Sequence, residues 1–410
     1  MNRNIALLLI AVAYFTFAML LNSVGIVILQ LVNVYQVSPA TAGTLEGFKD
    51  ISIAVSSFVL ASFIPLLGFT KTMYTALLVA LIGCLLAVFM GGLAAFQMFF
   101  ACAGFSFALV KVCVYSLVGQ LSLSAKNHTS LLNTLEGIFM IGVLSGYWLF
   151  SIFMDPVKEA SWLNTYLVFS TLLVLSLVLV YYAKLDQYAY RGEQNTPIES
   201  LKTAITLCRS KLIFIFYLSL FLYVLIEQGI GTWLPTYNKI VLNMPESLAV
   251  QVTSLFAAAL AIGRLTAAQI IKRVSWEKLL TSCLLVMLFI IGVLFPIIEP
   301  PEGVSVSNIS NLPLSAYVIP LLGLFLAPIY PILNSVMLNE TPKNLHASMT
   351  GLIIVFSALG GTVGSLLTGV TFENFDGETA FSLTIIPISF LLLLLLYANK
   401  QKQPNLKGVY

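Results

Sequence analysis

The chain has 410 residues, of which 59% are hydrophobic and 9% charged, and its formal net charge is +3. A soluble domain carries about 25% charged residues, so this composition excludes a soluble globule and predicts a polytopic α-helical membrane protein. No long basic run suggests nucleic acid as a partner. The five cysteines are scattered singly and predict neither a zinc site nor a disulfide framework.

Twelve apolar runs are long enough to cross about 30 Å of hydrocarbon at 1.5 Å per residue. The first run is too long for a signal peptide, so we interpret it as the first transmembrane helix. The predicted spans, in chain order, are 5–32, 41–68, 72–92, 95–121, 131–153, 163–183, 212–237, 247–271, 279–298, 313–338, 347–370 and 379–398.

The basic residues of the loops predict the orientation. If the N-terminus is cytoplasmic, the outer loops hold only Lys158 and Lys239, and every other loop lysine and arginine falls inside. Because basic residues accumulate on the cytoplasmic side, we predict that both termini are cytoplasmic. The expected location is the plasma membrane, which is the inner membrane in a bacterium.

The longest inner loop divides the spans into six plus six. We predict an N-terminal six-helix lobe at 1–183, a cytoplasmic linker at 184–211, a C-terminal lobe at 212–398 and a cytoplasmic tail at 399–410. Within the linker, 196–199 reads as a capping box with proline at the first helical position. It predicts a short amphipathic helix, and a flexible linker is the alternative.

An internal repeat supports this division. When the fifth span is aligned with the eleventh, four identities fall at equivalent topological positions. The matched pairs are His128 with His346, Ser130 with Ser348, Gly142 with Gly360, and Gly146 with Gly364. Glycines four residues apart allow helices to approach closely, so we expect each glycine pair to face a neighbouring helix.

Two parallel six-helix repeats are the architecture of the major facilitator transporters, and the chain resembles the major facilitator superfamily along its whole length. The stretches 231–233, 263–264 and 328–332 are similar to the fucose:proton symporter branch. Where that branch has an acid in the fourth span, this chain has Lys111. The resemblance implies a two-lobe secondary transporter whose first, fourth, seventh and tenth spans line a central cavity.

Seven charged side chains lie inside otherwise apolar spans. Each costs about 2.5–3.5 kcal/mol at bilayer depth on insertion scales, so a sequence keeps them mainly where they pair or line a wet cavity. They indicate a transport pathway, and they are Glu46, Lys49, Asp50, Lys111, Glu136, Glu227 and Arg264.

The second and fourth spans contribute four of these charges. Spacings of three and four place Glu46, Lys49 and Asp50 on one helix face, and we expect a titratable cluster there. Lys111, near the middle of its span, must meet an acid such as Glu46 or Asp50, or an anionic group of the substrate. The alternatives are a self-neutralising structural set in the second span and a fixed ion pair for Lys111 within its lobe.

Glu227, in the middle of the seventh span, is the acid that we expect to carry a proton or contact the solute. The alternative is a hydrogen-bonded glutamate that braces the stretch around Gly229 and Gly231. Glu136 and Arg264 lie at similar depths in the fifth and eighth spans, and we predict that they form an inner gate. The alternative pairs Arg264 with carbonyl groups at a helix end of its own lobe.

Polar and aromatic residues of the four cavity-lining spans complete the candidate site, although any one of them could instead serve in packing. These candidates are Tyr14, Asn22, Gln30, Tyr115, Tyr223, Gln228, Trp233, Tyr330 and Asn334.

The sequence contains no nucleotide-binding loop, metal-ligand cluster or nucleophile–base set, so we expect no enzyme activity, cofactor or metal. The prediction is a monomeric secondary transporter in the lipid bilayer. It would take up a small polar or anionic metabolite, of sugar or carboxylate type, together with protons. Export by proton antiport is one alternative. A receptor or assembly factor that does not transport is the alternative from another class.

Overall fold

The computed structural model describes residues 3–60, 64–121, 125–155, 157–158, 160–185, 210–298, 308–339 and 346–406. All regular secondary structure in these residues is helical. Within them, eleven helices are long and apolar enough to cross a membrane. Residues 61–63 of the predicted second span lie outside the described residues. The protein is an all-α, multi-pass integral membrane protein, as predicted.

The N-terminal compact unit comprises Met1–Val37 and Leu45–Pro197. A short 3₁₀ helix at Ser161–Leu163 precedes its last long helix. Its α-helices are α1 (Arg3–Leu21), α2 (Val24–Asn33), α4 (Leu45–Leu60), α5 (Ile64–Met90), α6 (Gly92–Leu121), α7 (Ala125–Phe153) and α8 (Asn164–Ala183).

The C-terminal compact unit comprises Ser38–Thr44 and Ile198–Tyr410. Its α-helices are α3 (Pro39–Gly43), α9 (Lys211–Ile240), α10 (Glu246–Ile270), α11 (Trp276–Phe289), α12 (Phe295–Ile297), α13 (Ser315–Leu326), α14 (Ile329–Asn339), α15 (His346–Asn374), α16 (Gly377–Ser382) and α17 (Ile385–Leu406). A π-helical turn at Ile290–Leu294 joins α11 to α12.

The unit boundary between Pro197 and Ile198 falls inside the predicted linker 184–211. The amphipathic helix predicted within that linker lies outside the described residues. At the C-terminal end, helix α17 continues to Leu406, so the helix does not stop at 398, where the tail was predicted to begin.

The segment Ser38–Thr44 corrects the predicted lobe 1–183, because it packs within the C-terminal unit. Helix α3 contacts α15, where a Cβ added at Gly369 would lie 2.6 Å from the Pro39 carbonyl oxygen. The Ala40 backbone N–H donates to the Glu373 carboxylate at 2.9 Å. Glycine therefore allows a backbone approach that the hydropathy pattern could not reveal.

The repeated glycines face neighbouring helices in both units, as the alignment predicted. In the N-terminal unit, a Cβ added at Gly142 of α7 would lie 2.7 Å from the Phe15 carbonyl oxygen of α1. In the C-terminal unit, a Cβ at Gly360 of α15 would collide with the Phe221 carbonyl oxygen of α9. Hence the fifth span packs on the first in one repeat, and the eleventh packs on the seventh in the other.

The predicted first and tenth spans are each interrupted near their middle. The first breaks between α1 and α2, where the Asn22 side-chain amide donates to the Ala18 carbonyl at 2.8 Å and the Ser23 hydroxyl donates to the Leu20 carbonyl at 2.7 Å. The tenth breaks between α13 and α14 next to Pro328, which has no N–H to continue the ladder. Backbone carbonyl groups at such breaks need other partners at membrane depth, and Asn22 and Ser23 bond two of those at the first break.

Candidate functional site

The three charged residues of α4 interact with one another in the N-terminal unit. The Lys49 ammonium is hydrogen-bonded to Glu46 and lies 3.6 Å from the Asp50 carboxylate. The three residues are 6%, 0% and 9% exposed, respectively. Tyr147 of α7, itself buried, interacts electrostatically with Glu46 and Lys49. We call Glu46, Lys49 and Asp50 the buried triad.

The buried triad is enclosed by close helix packing. Gly104 of α6 sits directly against the Lys49 carbonyl oxygen, and a Cβ there would also approach the Ser52 side chain to 3.0 Å. Glu46 and Asp50 both interact with Lys49. The acid that acts electrostatically on Lys111 is Glu136, not the Glu46 or Asp50 that the sequence suggested.

Lys111 lies in an open cluster formed by α1, α6 and α7. Its ammonium stands 5.7 Å from the ring centre of Phe107 and 5.9 Å from that of Tyr115, within the range of cation–π attraction. The acid that acts electrostatically on Lys111 is Glu136 of α7. The Tyr115 hydroxyl donates to the Glu136 carboxylate at 3.0 Å. We call Lys111, Tyr115 and Glu136 the open cluster.

The open cluster is accessible, although its members belong to the interior of their spans. Lys111, Tyr115 and Glu136 are all exposed. Tyr14 of α1, by contrast, is buried beside them and interacts with Tyr115. The face of α6 that carries Lys111 therefore lies beside α1 and α7 of the same unit. The side chains on that face remain accessible to solvent or a ligand.

A second charged group occupies the C-terminal unit. Glu227 of α9 and Arg264 of α10 form an ion pair with 3.6 Å between Oε1 and Nη2, and their side chains are 18% and 41% exposed. The buried Tyr223 interacts with both charges and packs on Tyr330, with ring centres 5.4 Å apart. The hydroxyl of Ser357 lies 3.4 Å from that of Tyr330.

Two amides lie on the same helices. Asn334 is half-buried on α14, and its side-chain oxygen accepts no hydrogen bond from the described residues. Gln228 is half-buried on α9 and lies 3.3 Å from the Thr232 hydroxyl. These polar groups can hydrogen-bond a polar solute.

Three predicted cavity residues contact their own or neighbouring helices. Trp233 is fully buried, donates from its indole N–H to the Ser365 carbonyl at 2.9 Å and stacks on Phe372. Gln30 is 1% exposed within α2. Asn22 bonds the backbone at the break between α1 and α2. Their place in a solute cavity stays a prediction.

The predicted gate residues have partners within their own units. Glu136 accepts from Tyr115, and Arg264 lies beside Glu227. The Glu136–Arg264 gate stays a prediction, and so does the alternative that pairs Arg264 with helix-end carbonyls.

The sequence analysis missed two aromatic residues beside the open cluster, Phe107 and Phe139. Phe107 packs against Tyr14 at 6.3 Å and against Phe139 at 6.1 Å between ring centres. Phe107 stands four residues before Lys111, so helical spacing could have identified it as a flanking ring. Among the described residues, no group of three or more His, Cys, Asp or Glu could hold a metal ion.

The family model of the Major Facilitator Superfamily matches residues 8–365. The chain belongs to the Major Facilitator Superfamily. Among curated protein sequences, none matches this member significantly.

Solved structures of other superfamily members resemble it at low sequence identity. The nucleoside transporter NupG has a TM-score of 0.74 and 14% identity, with 98% of this chain and 100% of that chain covered. The D-xylose-proton symporter has a TM-score of 0.71 and 12% identity, with 95% and 96% covered. The E. coli fucose:proton symporter FucP has a TM-score of 0.59 and 15% identity, with 97% and 99% covered. These similarities establish the shared fold.

Proposed function

We propose that this protein is a proton-coupled importer of a small polar or anionic metabolite. Proton symporters for fucose and xylose among the similar structures support this class of function. The distribution of loop lysines and arginines supports a bacterial inner-membrane location with both termini in the cytoplasm. The working unit is a monomer that alternates access to its solute site.

Glu227 is the observation on which the coupling proposal depends. Its carboxylate lies in the middle of α9, is mostly buried, and forms an ion pair of 3.6 Å with a half-exposed arginine. A carboxylate in such a place can exchange its arginine for a proton without leaving a bare charge in a poorly solvated site. Tyr223 and Tyr330 offer aromatic faces and hydroxyls beside it for a small polar solute.

The test begins with a thermal-shift screen of sugars, carboxylates, amino acids and nucleosides, because a molecule that binds the folded state raises the unfolding temperature. A hit is then offered to proteoliposomes under an imposed inward proton gradient. We expect accumulation in the wild type. Glu227→Gln should abolish gradient-driven accumulation while the protein still exchanges labelled solute across the membrane.

Glu378→Gln is the matched control, since it makes the same chemical change at an exposed first-turn position of the same unit. It should transport like the wild type. Unchanged accumulation in Glu227→Gln would contradict the role given to Glu227. Outward proton-driven movement would favour the antiporter, and solute binding without any flux would favour a receptor.

A further inference from the structure

Two lysines of the N-terminal unit differ in how their ammonium groups are satisfied. Lys49 is paired with two carboxylates. Lys111 has only two ring faces and the attraction of Glu136, and no described residue forms a hydrogen bond or an ion pair with it. An ammonium group carries three donors, so Lys111 has its donors available for a ligand.

At the position of Lys111, ammonium donors without acceptors cost free energy, unless a ligand or water accepts hydrogen bonds from them. It is the twentieth residue of the 30-residue helix α6, too far from either end for its side chain to reach an interface. Its side chain is exposed, and the adjoining Phe107 packs against Tyr14 of α1 and Phe139 of α7. The exposed space beside Lys111 is therefore bordered by α1, α6 and α7.

We propose that Lys111 binds a carboxylate group of the transported solute, and that Glu136 and this carboxylate compete for the same positive charge. The inference rests on the proposed function and narrows its solute class from polar or anionic to carboxylic acids. The Phe107 and Tyr115 rings would flank the apolar part of the acid, and the Tyr115 hydroxyl would stay on Glu136.

The competition follows from the groups that face Glu136. Tyr14 from α1 and Lys111 and Tyr115 from α6 act on it. Helix α8 also packs on α7, and its Tyr166 contacts Phe150 of α7. Lys111 is thus the one cation acting on Glu136 among the described residues of these helices.

A second carboxylate at Lys111 would be repelled by the Glu136 carboxylate, because both are attracted to the same ammonium group. Replacing Glu136 with an uncharged residue should therefore strengthen binding of the acid. A neutral solute would show no such strengthening.

The first test measures equilibrium binding to the purified full-length protein by dialysis at pH 5.5. The probes are glucuronate, lactate and succinate, each matched with an uncharged counterpart, namely glucose, lactamide and succinamide. We expect at least one acid to bind more tightly than its counterpart. Lys111→Met and Lys111→Gln should lower the affinity for that acid at least tenfold, whereas Lys111→Arg should retain part of the affinity.

Lys158→Met is the matched control, because Lys158 is an exposed lysine of the same unit. It should bind like the wild type. Thermal unfolding without added acid identifies variants that fold. The proposal is overturned if no acid binds more tightly to the wild type than to the folded Lys111 variants, or if the uncharged counterparts bind as well as the acids.

The second test repeats the binding measurement at pH 5.5 with Glu136→Gln. The variant should bind the acid more tightly than the wild type does, while its affinity for the uncharged counterpart stays the same. A purely structural role for Glu136 would weaken the binding of both molecules alike. Equal affinity for the acid in both proteins would refute competition between Glu136 and the acid.

These measurements use no gradient, so they separate this inference from the proposed function. If acids bind as expected but Glu227→Gln still accumulates solute normally, the carboxylate site stands and the coupling role of Glu227 fails. If gradient-driven transport proves to be of neutral sugars, with Lys111→Met unaffected, the transporter proposal stands and the carboxylate site fails.

Discussion

The buried triad and the open cluster place the same residue types, lysine and carboxylate, in neighbouring helices of one unit. Lys49 is 6% exposed and has two acidic partners, whereas Lys111 is exposed and has rings and a more distant glutamate. The first arrangement neutralises charge within the fold, and the second leaves charge for something outside it. The proposed carboxylate site uses the lysine whose partners leave it accessible.

The largest expected contrast is between Lys49→Met and Lys111→Met. Removing Lys49 leaves two buried carboxylates without a counter-charge, which should destabilise the protein by about 3–5 kcal/mol. Removing Lys111 should cost well under that, because its ammonium forms no close ion pair with the described residues. Unfolding in SDS can be monitored by maleimide labelling of the buried thiols of Cys84 and Cys113. It gives the loss of stability in each variant. Equal losses of unfolding free energy in the two variants would contradict the difference drawn between the two regions.

A smaller contrast should appear between Glu46→Gln and Glu136→Gln. Glu46 is fully buried and directly hydrogen-bonded to Lys49, so loss of its charge should cost about 1.5–3 kcal/mol. Glu136 is exposed, and its substitution should change the free energy of unfolding by less than about 1 kcal/mol. The same unfolding titration compares the two. A larger loss for Glu136→Gln would reverse the assignment of structural and functional acids.

Glycine substitutions probe the space around the two regions. Gly104→Ala would drive a methyl group into the Lys49 carbonyl oxygen and should destabilise by about 1–3 kcal/mol. Gly137, next to Glu136, has nothing within 4 Å of an added Cβ, so Gly137→Ala should be neutral or stabilising by up to about 1 kcal/mol. Thermal unfolding midpoints of the two variants test this. Destabilisation by Gly137→Ala would mean that the open cluster is less open than described.

The smallest expected effect is that of Tyr115→Phe. It removes one hydroxyl donor, 3.0 Å from Glu136, at an exposed position, so stability should fall by no more than about 0.5–1.5 kcal/mol. The ring beside Lys111 is kept. Affinity for the acid should change in this variant while the unfolding midpoint stays close to that of the wild type, and the reverse outcome would give Tyr115 a structural role.

Much of the fold could be predicted because its signals are local. Apolar runs gave the spans, and the glycines at 142 and 360 indicated where helices approach one another. Spacings of three and four also placed Glu46, Lys49 and Asp50 together. Each of these features depends on residues within a few helical turns or on an internal repeat.

The partners of Lys111 and Trp233 could not be predicted in the same way. Glu136 is on a different helix from Lys111, and only the packing of α6 and α7 brings it nearer than the acids of α4. Trp233 looked like a ligand platform because of its aromatic ring, but its indole N–H is used by the Ser365 backbone of α15. Such choices are made between helices, and periodicity within one helix carries no information about them.

The seven residues of Ser38–Thr44 have a consequence for experiments that divide the molecule. The backbone passes from one unit to the other after Val37, returns after Thr44 and passes again after Pro197. A C-terminal fragment beginning at Ile198 would lack α3, the element that packs on the surface of α15 around Ser365 and Gly369. Co-expressed halves cut at 197 can therefore reconstitute the protein only if α3 of the first half packs on α15 of the second half.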